Sequence, residues 1–235
     1  MNRRELMASV AGGVVAATVF PEVVHAAPKP APFKPVAPGA HQPVPLPFDP
    51  AKLSGLSERL LTSHHDNNYA GAVKNLNAVE LELDKIGKDT PGFQVAALRE
   101  RELTYANSVF LHEQYFGNLG GDGKATGDVA RALATQFGSA ARWEERFRTT
   151  AMSLGGGSGW VVVAHAPLTG DLRIVASGGH APALAAGTPL LVLDMFEHAY
   201  ALDYGAAHAK YIDAFLANLS WAAVDKRWQR ARARA

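Results

Sequence analysis

A carboxylate and an imidazole lie four residues apart where an apolar segment of the chain ends. Residues 189–193 are apolar, Asp194 follows them directly, and His198 comes four positions later. A strand that leaves a hydrophobic core at this point can present an anionic oxygen and a neutral nitrogen to one metal ion. Because Asp-x-x-x-His pairs are common in unrelated proteins, the meaning of this pair depends on the surrounding sequence.

The surrounding sequence closely resembles a known family. The run PLLVLDMFEHAYALDY at residues 189–204 is similar to a segment near the C-terminus of the iron/manganese superoxide dismutases, in which the Asp and the His are two of four metal ligands. TSHH at 62–65, followed by NLN at 75–77, resembles the family's first-helix motif, and FLHEQYFGNL at 110–119 resembles its second. The resemblance spans about residues 45–230 and implies that His64 and His112 are the other two ligands.

The implied ligand set restricts the metal. Three neutral imidazoles and one carboxylate suit a first-row ion of moderate hardness, whereas Cu(I) prefers sulfur and both Ca²⁺ and Mg²⁺ prefer oxygen. Zinc accepts such ligands but has no accessible redox step. The resemblance implies one iron or manganese ion per chain with a solvent molecule as fifth ligand, and the ligands do not distinguish iron from manganese.

The resemblance also implies an activity and its supporting residues. The chain is expected to disproportionate superoxide to dioxygen and hydrogen peroxide while the metal cycles between its +2 and +3 states. Trp160 would pack beside the metal, and His180 would bond the metal-bound solvent. Glu197 would bond the ligand His of a second chain, which predicts a homodimer.

The sequence departs from the family at the entrance to the site. The family's His, gating Tyr, second Tyr and Arg are replaced by Asn68, Ala72, Ala201 and His208, and Ser108 occupies one position from which family members bond the solvent. Two alternatives therefore stay open. One is a metal-binding relative with little or no dismutase activity, and the other is a peroxidase- or oxidase-like activity in a widened pocket.

The composition excludes other kinds of site. The chain has 235 residues, a formal charge of +1 at pH 7 and no cysteine. Disulfides, thiolate zinc sites and cysteine nucleophiles are therefore excluded. The near-neutral charge gives no indication of nucleic-acid binding, and the basic residues after position 225 are interpreted as a solvated helix end.

The N-terminal residues are predicted to direct export. Residues 1–26 combine an Arg3–Arg4 pair, an apolar stretch at 6–20 and a small-residue cleavage pattern at 24–26, which is typical of a twin-arginine-like signal peptide. An ordinary secretory signal with two arginines is the alternative. Because the apolar stretch is too short to span a bilayer, we expect a periplasmic protein without stable membrane insertion after signal removal. The proline-dense residues 27–45 are predicted to form a linker.

Periodicity predicts the elements that must position the ligands. Helical spacing covers residues 53–83, 93–116, 128–137 and 140–153, β-branched runs indicate strands at 160–164, 172–176 and 190–194, and helical spacing returns at 204–219 and 221–230. This order predicts an α+β fold. A helical hairpin domain at residues 46–122 would precede an α/β domain at 123–235 with a small three-stranded antiparallel sheet, and the resemblance implies a metal between the two.

Overall fold

The structure of the protein is a computed structural model that describes residues 35–181 and 187–233. Two packed helical segments form its N-terminal part. The first helix begins where the Ser57 hydroxyl accepts a hydrogen bond from the Leu60 amide, which satisfies a donor that would otherwise be free. The elements in this part are α1 (Glu58–Ser63), a π-helical turn (His64–Tyr69), α2 (Ala70–Leu83) and α3 (Gly92–Phe116). Helices α2 and α3 pack against each other along the hairpin.

The π-helical turn differs from the sequence prediction. Apolar spacing predicts one helix over residues 53–83, but the helix begins only at Glu58 and widens by one residue per turn at His64–Tyr69. Residues five apart share a face of a π turn, and such turns are frequent at functional sites. As a result His64 and Tyr69 are both buried, while Asn68 between them is only partly buried.

The sheet is antiparallel, as predicted, and its central strand is fully buried. The elements in this part are α4 (Gly127–Phe137), α5 (Ala140–Met152), β1 (Trp160–His165), β2 (Leu172–Ser177) and β3 (Thr188–Asp194). The strand order is β2-β1-β3, which confirms the hairpin predicted for the first two strands. Trp160 pairs with Ser177 on one side and with Asp194 on the other, so the register places this Trp beside the carboxylate.

The helix predicted over residues 204–219 is wrong at its beginning. Gly205 has a φ of 50°, in the left-handed region that side chains avoid, and it ends one short helix so that another begins at His208. The C-terminal helices are therefore α6 (Ala201–Tyr204), α7 (His208–Ala217) and α8 (Trp221–Arg232). Helices followed by a three-stranded antiparallel sheet and further helices confirm the predicted α+β class.

One hydrophobic core joins the helical hairpin to the sheet. Leu60 and Leu111 from the hairpin belong to the same buried cluster as Val162 and Leu191 from the sheet. Contacts group the described residues from Val36 onward as one unit. The ligand-bearing segments of both halves are consequently held by shared packing.

Candidate metal centre

Four side chains from four parts of the fold converge at the end of β3. His64 begins the π turn, His112 lies in the last turns of α3, Asp194 ends β3, and His198 lies in a short 3-10 turn. One donor atom of each lies within 4.8 Å of the others. The Asp194 Oδ2 is 3.2 Å from the Nε2 of His64, 3.6 Å from that of His112 and 3.2 Å from that of His198. The structure thus brings together all four residues that the sequence proposes as ligands.

The spacing and the unpaired nitrogens of this cluster fit a single ion. An ion lies about 2.0–2.2 Å from nitrogen or oxygen ligands, so donors to one ion are at most roughly 4.4 Å apart, and the cluster needs to contract only slightly. The Nε2 atoms of His64 and His112 are buried and have no well-aligned hydrogen-bond partner. Buried polar atoms are almost always paired, so two unpaired nitrogens facing one carboxylate indicate a cation site.

Backbone contacts orient two of the ligands. The His112 Nδ1 donates to the Ser108 carbonyl at 2.7 Å, which places the proton on Nδ1 and directs the Nε2 lone pair at the cluster. The Asp194 Oδ1 accepts a hydrogen bond from the Phe196 amide at 2.8 Å. That bond leaves Oδ2 as the oxygen that faces the three imidazoles.

Burial and mutual contacts set the charge states of the cluster. Burial lowers the pKa of His64, and burial together with the nearby His64 lowers the pKa of His112 to about 3. Burial alone would raise the pKa of the Asp194 carboxyl, but its close contacts with the His198 and His64 imidazoles outweigh that effect and hold this pKa well below its usual value. Neutral imidazoles and an ionised carboxylate are the forms that bind metal.

The metal-free protein is expected to lose stability as the pH falls. The His112 pKa is 6.5 in the reference state and about 3 in the fold, so between these values only the unfolded chain binds the proton. Stability is therefore retained above about pH 6.5 and lost toward pH 3, by about 1 kcal/mol per pH unit for this residue. Urea unfolding across this window should give a shallower pH profile for His112→Gln, and an equally steep profile would contradict the assignment.

Trp160 and His180 form a hydrogen-bonded pair beside the ligands. The Trp160 ring lies edge-on to His112 with centroids 5.1 Å apart, and its Nε1 donates to the His180 Nδ1 at 3.0 Å. Since Nδ1 is an acceptor, the neutral His180 ring carries its proton on Nε2. The ring stacks on Phe196 at 4.9 Å, and Asn107 bonds the His180 carbonyl at 3.1 Å. His180 is therefore a fixed hydrogen-bond donor next to the cluster.

Two buried tyrosines support the ligands, and sequence reasoning missed both. The Tyr211 hydroxyl donates to the Asp194 backbone carbonyl at 2.7 Å and lies 3.3 Å from the Tyr115 hydroxyl. The Tyr115 ring lies 5.1 Å from the His64 ring. Burial raises the pKa of both phenols, which therefore remain neutral donors. Tyr115 stands inside a family-like motif, but no sequence signal links Tyr211 to Asp194.

The site opens to solvent at one ligand. The His198 side chain is 26% exposed, whereas the His64, His112 and Asp194 side chains are at most 2% exposed. Glu197, next to His198, is exposed. Among the four side chains, that of His198 is therefore the one partly accessible to solvent.

The residues that replace the family's outer gateway differ in burial, and a buried phenol near the centre, Tyr69, was missed by sequence reasoning. Ala72 is buried, Ala201 is exposed, and the His208 ring lies edge-on to Tyr200 at 5.0 Å. Tyr69 is 1% exposed and its ring lies 6.2 Å from that of His112. The π-helical turn directs Tyr69 toward the centre. The helical spacing of the sequence does not reveal this irregularity.

Comparisons with known proteins agree with this geometry. Residues 125–227 match the family model described as iron/manganese superoxide dismutases, C-terminal domain. The chain is 47% identical over 178 residues to a superoxide dismutase [Fe] of Cupriavidus metallidurans, covering 75% of this chain and 90% of that protein. It is 32% identical over 182 residues to a superoxide dismutase [Mn] of Haloarcula marismortui, covering 75% and 88%. A superoxide dismutase [Mn/Fe] of Aeropyrum pernix is 32% identical over 197 residues, covering 80% and 90%.

Proposed function

The chain belongs to the iron/manganese superoxide dismutase family, and we propose that it converts superoxide to dioxygen and hydrogen peroxide at one iron or manganese ion. The observation that carries this proposal is the convergence of His64, His112, Asp194 and His198 on one point. The bound ion supplies the one-electron chemistry. The relatives' names include both iron and manganese, so the choice of metal stays open.

The protein's own residues hold protons and exclude water around this centre. Asp194 presents Oδ2 because the Phe196 amide occupies Oδ1. His180 carries a proton on Nε2 because Trp160 donates to Nδ1, so it would hold a hydrogen-bond donor beside the ion that the four ligands would bind. The apolar rings of Trp160 and Phe196 line the centre. They lower the local dielectric constant, which strengthens these electrostatic contacts.

The charge of the centre favours an anionic substrate. A divalent or trivalent ion combined with three neutral imidazoles and one carboxylate retains a net positive charge. Such a charge in a mostly buried site attracts a small anion such as superoxide and raises its association rate. The loss of the family's Arg at His208 reduces this steering by roughly an order of magnitude, so we expect a slower enzyme with an unchanged reaction.

Metal content and superoxide decay, measured together on the chain from residue 27 onward, test the function. About one iron or manganese ion per chain and a rate far above that of the free ion would support the proposal. A full complement of metal without such a rate would favour the metal-binding relative. Peroxide consumption with an organic reductant in the same preparation would instead indicate the peroxidase-like alternative.

We further propose that the protein is a homodimer in which Glu197 bonds the His198 imidazole of the second copy. Two observations support this: Glu197 is exposed, and the neighbouring His198 is the ligand that reaches the surface. Glu197→Ala is expected to produce monomers and to weaken metal retention by about 10-fold or more. Light scattering and metal analysis would measure both, with Glu82→Ala on the exposed side of α2 as control. A dimeric Glu197→Ala protein with full metal would contradict the interface.

We also propose that the protein is exported to the periplasm through a twin-arginine signal. The residues that carry this prediction, 1–26, lie outside the described part of the structure. Within residues 35–181 and 187–233, no helix is both long and apolar enough to cross a membrane. Cell fractionation tests the proposal, and a periplasmic fraction without the protein would contradict it.

A further inference from the structure

Residues 36–47, called here the N-terminal strap, are held against the helical hairpin by side chains. The strap contains four prolines, which lack an amide N–H and prevent regular strand pairing. The Asn77 side chain instead bonds both the N–H and the carbonyl of His41, each at 2.9 Å. Glu80 accepts from the Gly39 amide at 2.9 Å. The strap is therefore recognised through its backbone, much as an added strand would be.

The bonds from Asn77 and Glu80 are called here the first clip. A second clip, formed by Tyr69 and His65, holds the backbone of Val44. The Tyr69 hydroxyl accepts the Val44 N–H at 2.8 Å, and the His65 Nε2 donates to the Val44 carbonyl at 2.9 Å. The same Tyr69 hydroxyl donates to the Glu113 Oε1 at 2.8 Å. Val44 is itself 55% exposed, so this clip serves the backbone hydrogen bonds and buries little apolar surface.

Each residue of the second clip adjoins a metal ligand. His65 follows His64, Glu113 follows His112, and Tyr69 closes the π turn that His64 begins. The His64 and His65 rings both contact Phe116, with centroids 5.0 Å and 5.6 Å from it. A shift of the clip must therefore displace the backbone on which two ligands stand. The Asn77 clip adjoins no ligand, and this contrast allows a test.

We propose that Tyr69 is a positioning residue whose hydroxyl couples docking of the strap to the metal centre through Glu113 and the α3 turn that carries His112. The proposal rests on the proposed function only in assuming that the four ligands bind a metal. Coupled binding free energies are reciprocal, so a bound metal strengthens strap docking by the same factor by which the docked strap strengthens metal binding. Burial raises the pKa of Tyr69 to about 12, so the hydroxyl keeps its proton for Glu113 at neutral pH.

Three variants of the chain from residue 27 onward test the coupling. Tyr69→Phe removes the hydroxyl and keeps the buried ring, Tyr105→Phe is the same change on α3 away from the strap, and Asn77→Ala opens only the first clip. The measured quantities are the rate at which a chelator removes bound Mn²⁺ and the rate at which a protease cuts the strap with and without Mn²⁺. Circular dichroism and thermal unfolding would verify that each variant is folded.

Tyr69→Phe is expected to release Mn²⁺ about 10-fold faster, in line with other groups that orient ligands. It should also abolish the protection of the strap that Mn²⁺ gives the parent chain. Asn77→Ala should increase strap cleavage with little change in Mn²⁺ release, and Tyr105→Phe should match the parent. Unchanged Mn²⁺ release in Tyr69→Phe, or equal acceleration in Asn77→Ala, would overturn the proposal. A parent chain that binds Mn²⁺ but does not consume superoxide would contradict the proposed function alone.

Discussion

Asp194→Asn is expected to give a folded protein that holds less than about a tenth of an ion per chain and removes superoxide at least about 100-fold more slowly. The reason lies in the Phe196 amide, which donates to the Asp194 Oδ1. An Asn side chain keeps this bond through its carbonyl oxygen and so places its NH₂ group where Oδ2 faces the imidazoles. That group has no lone pair for a metal and removes the negative charge.

The same geometry explains why the variant should remain folded. The new NH₂ group can donate to the Nε2 of His64 or His198, both 3.2 Å from the original Oδ2. Metal analysis, superoxide decay and urea unfolding of the metal-free protein measure the three effects. Asp171→Asn, on the exposed turn between β1 and β2, is the control and should match the parent. An Asp194→Asn protein with a full ion per chain would show that the carboxylate is not a ligand.

His180→Ala is expected to leave metal content close to that of the parent while slowing superoxide removal by roughly 10- to 100-fold and changing the metal's reduction potential. His180 lies outside the cluster of four donors but next to it, and its ring centroid is 6.4 Å from that of His112. A donor to bound solvent stabilises one protonation state of that solvent, and the potential follows because electron and proton uptake are linked. Redox titration and stopped-flow superoxide decay measure the two effects.

Trp160→Phe provides an independent variant for the same arrangement. It keeps an apolar ring beside His112 but removes the donor to the His180 Nδ1, so the imidazole can place its proton on either nitrogen. We expect an intermediate loss of rate, with a smaller change in potential than in His180→Ala. An unchanged potential in His180→Ala would refute the role of this residue.

The ligands could be predicted from the sequence because each lies in a segment that resembles a motif of the family. Periodicity and turn residues placed Asp194 at the end of an apolar strand and His112 in a helix, but the resemblance identified them as ligands. Trp160 and Asp194 came together because the register of β1 and β3 pairs them directly. The α+β class followed from the same order of elements.

The remaining parts of the site depend on interactions between distant segments or on one extra residue in a helical turn. Tyr69 faces the centre only because the helix widens at His64–Tyr69, and a single sequence with helical spacing does not show an inserted residue. Tyr211 reaches Asp194 only through the packing of α7. Docking of the proline-dense strap depends on Asn77 and Tyr69, whose side chains accept hydrogen bonds from the amides of His41 and Val44.

The origin of the four ligands in four separate elements makes the metal a cross-link. His64 and His198 are 134 positions apart (198 − 64), and the chain contains no cysteine that could form a disulfide between such distant segments. Global unfolding separates the ligands and releases the ion, so the free metal concentration becomes part of the folding equilibrium. An ion present at 100 times its dissociation constant adds about 2.7 kcal/mol to the unfolding free energy. The supply of iron or manganese therefore changes the stability of the folded chain as well as its activity.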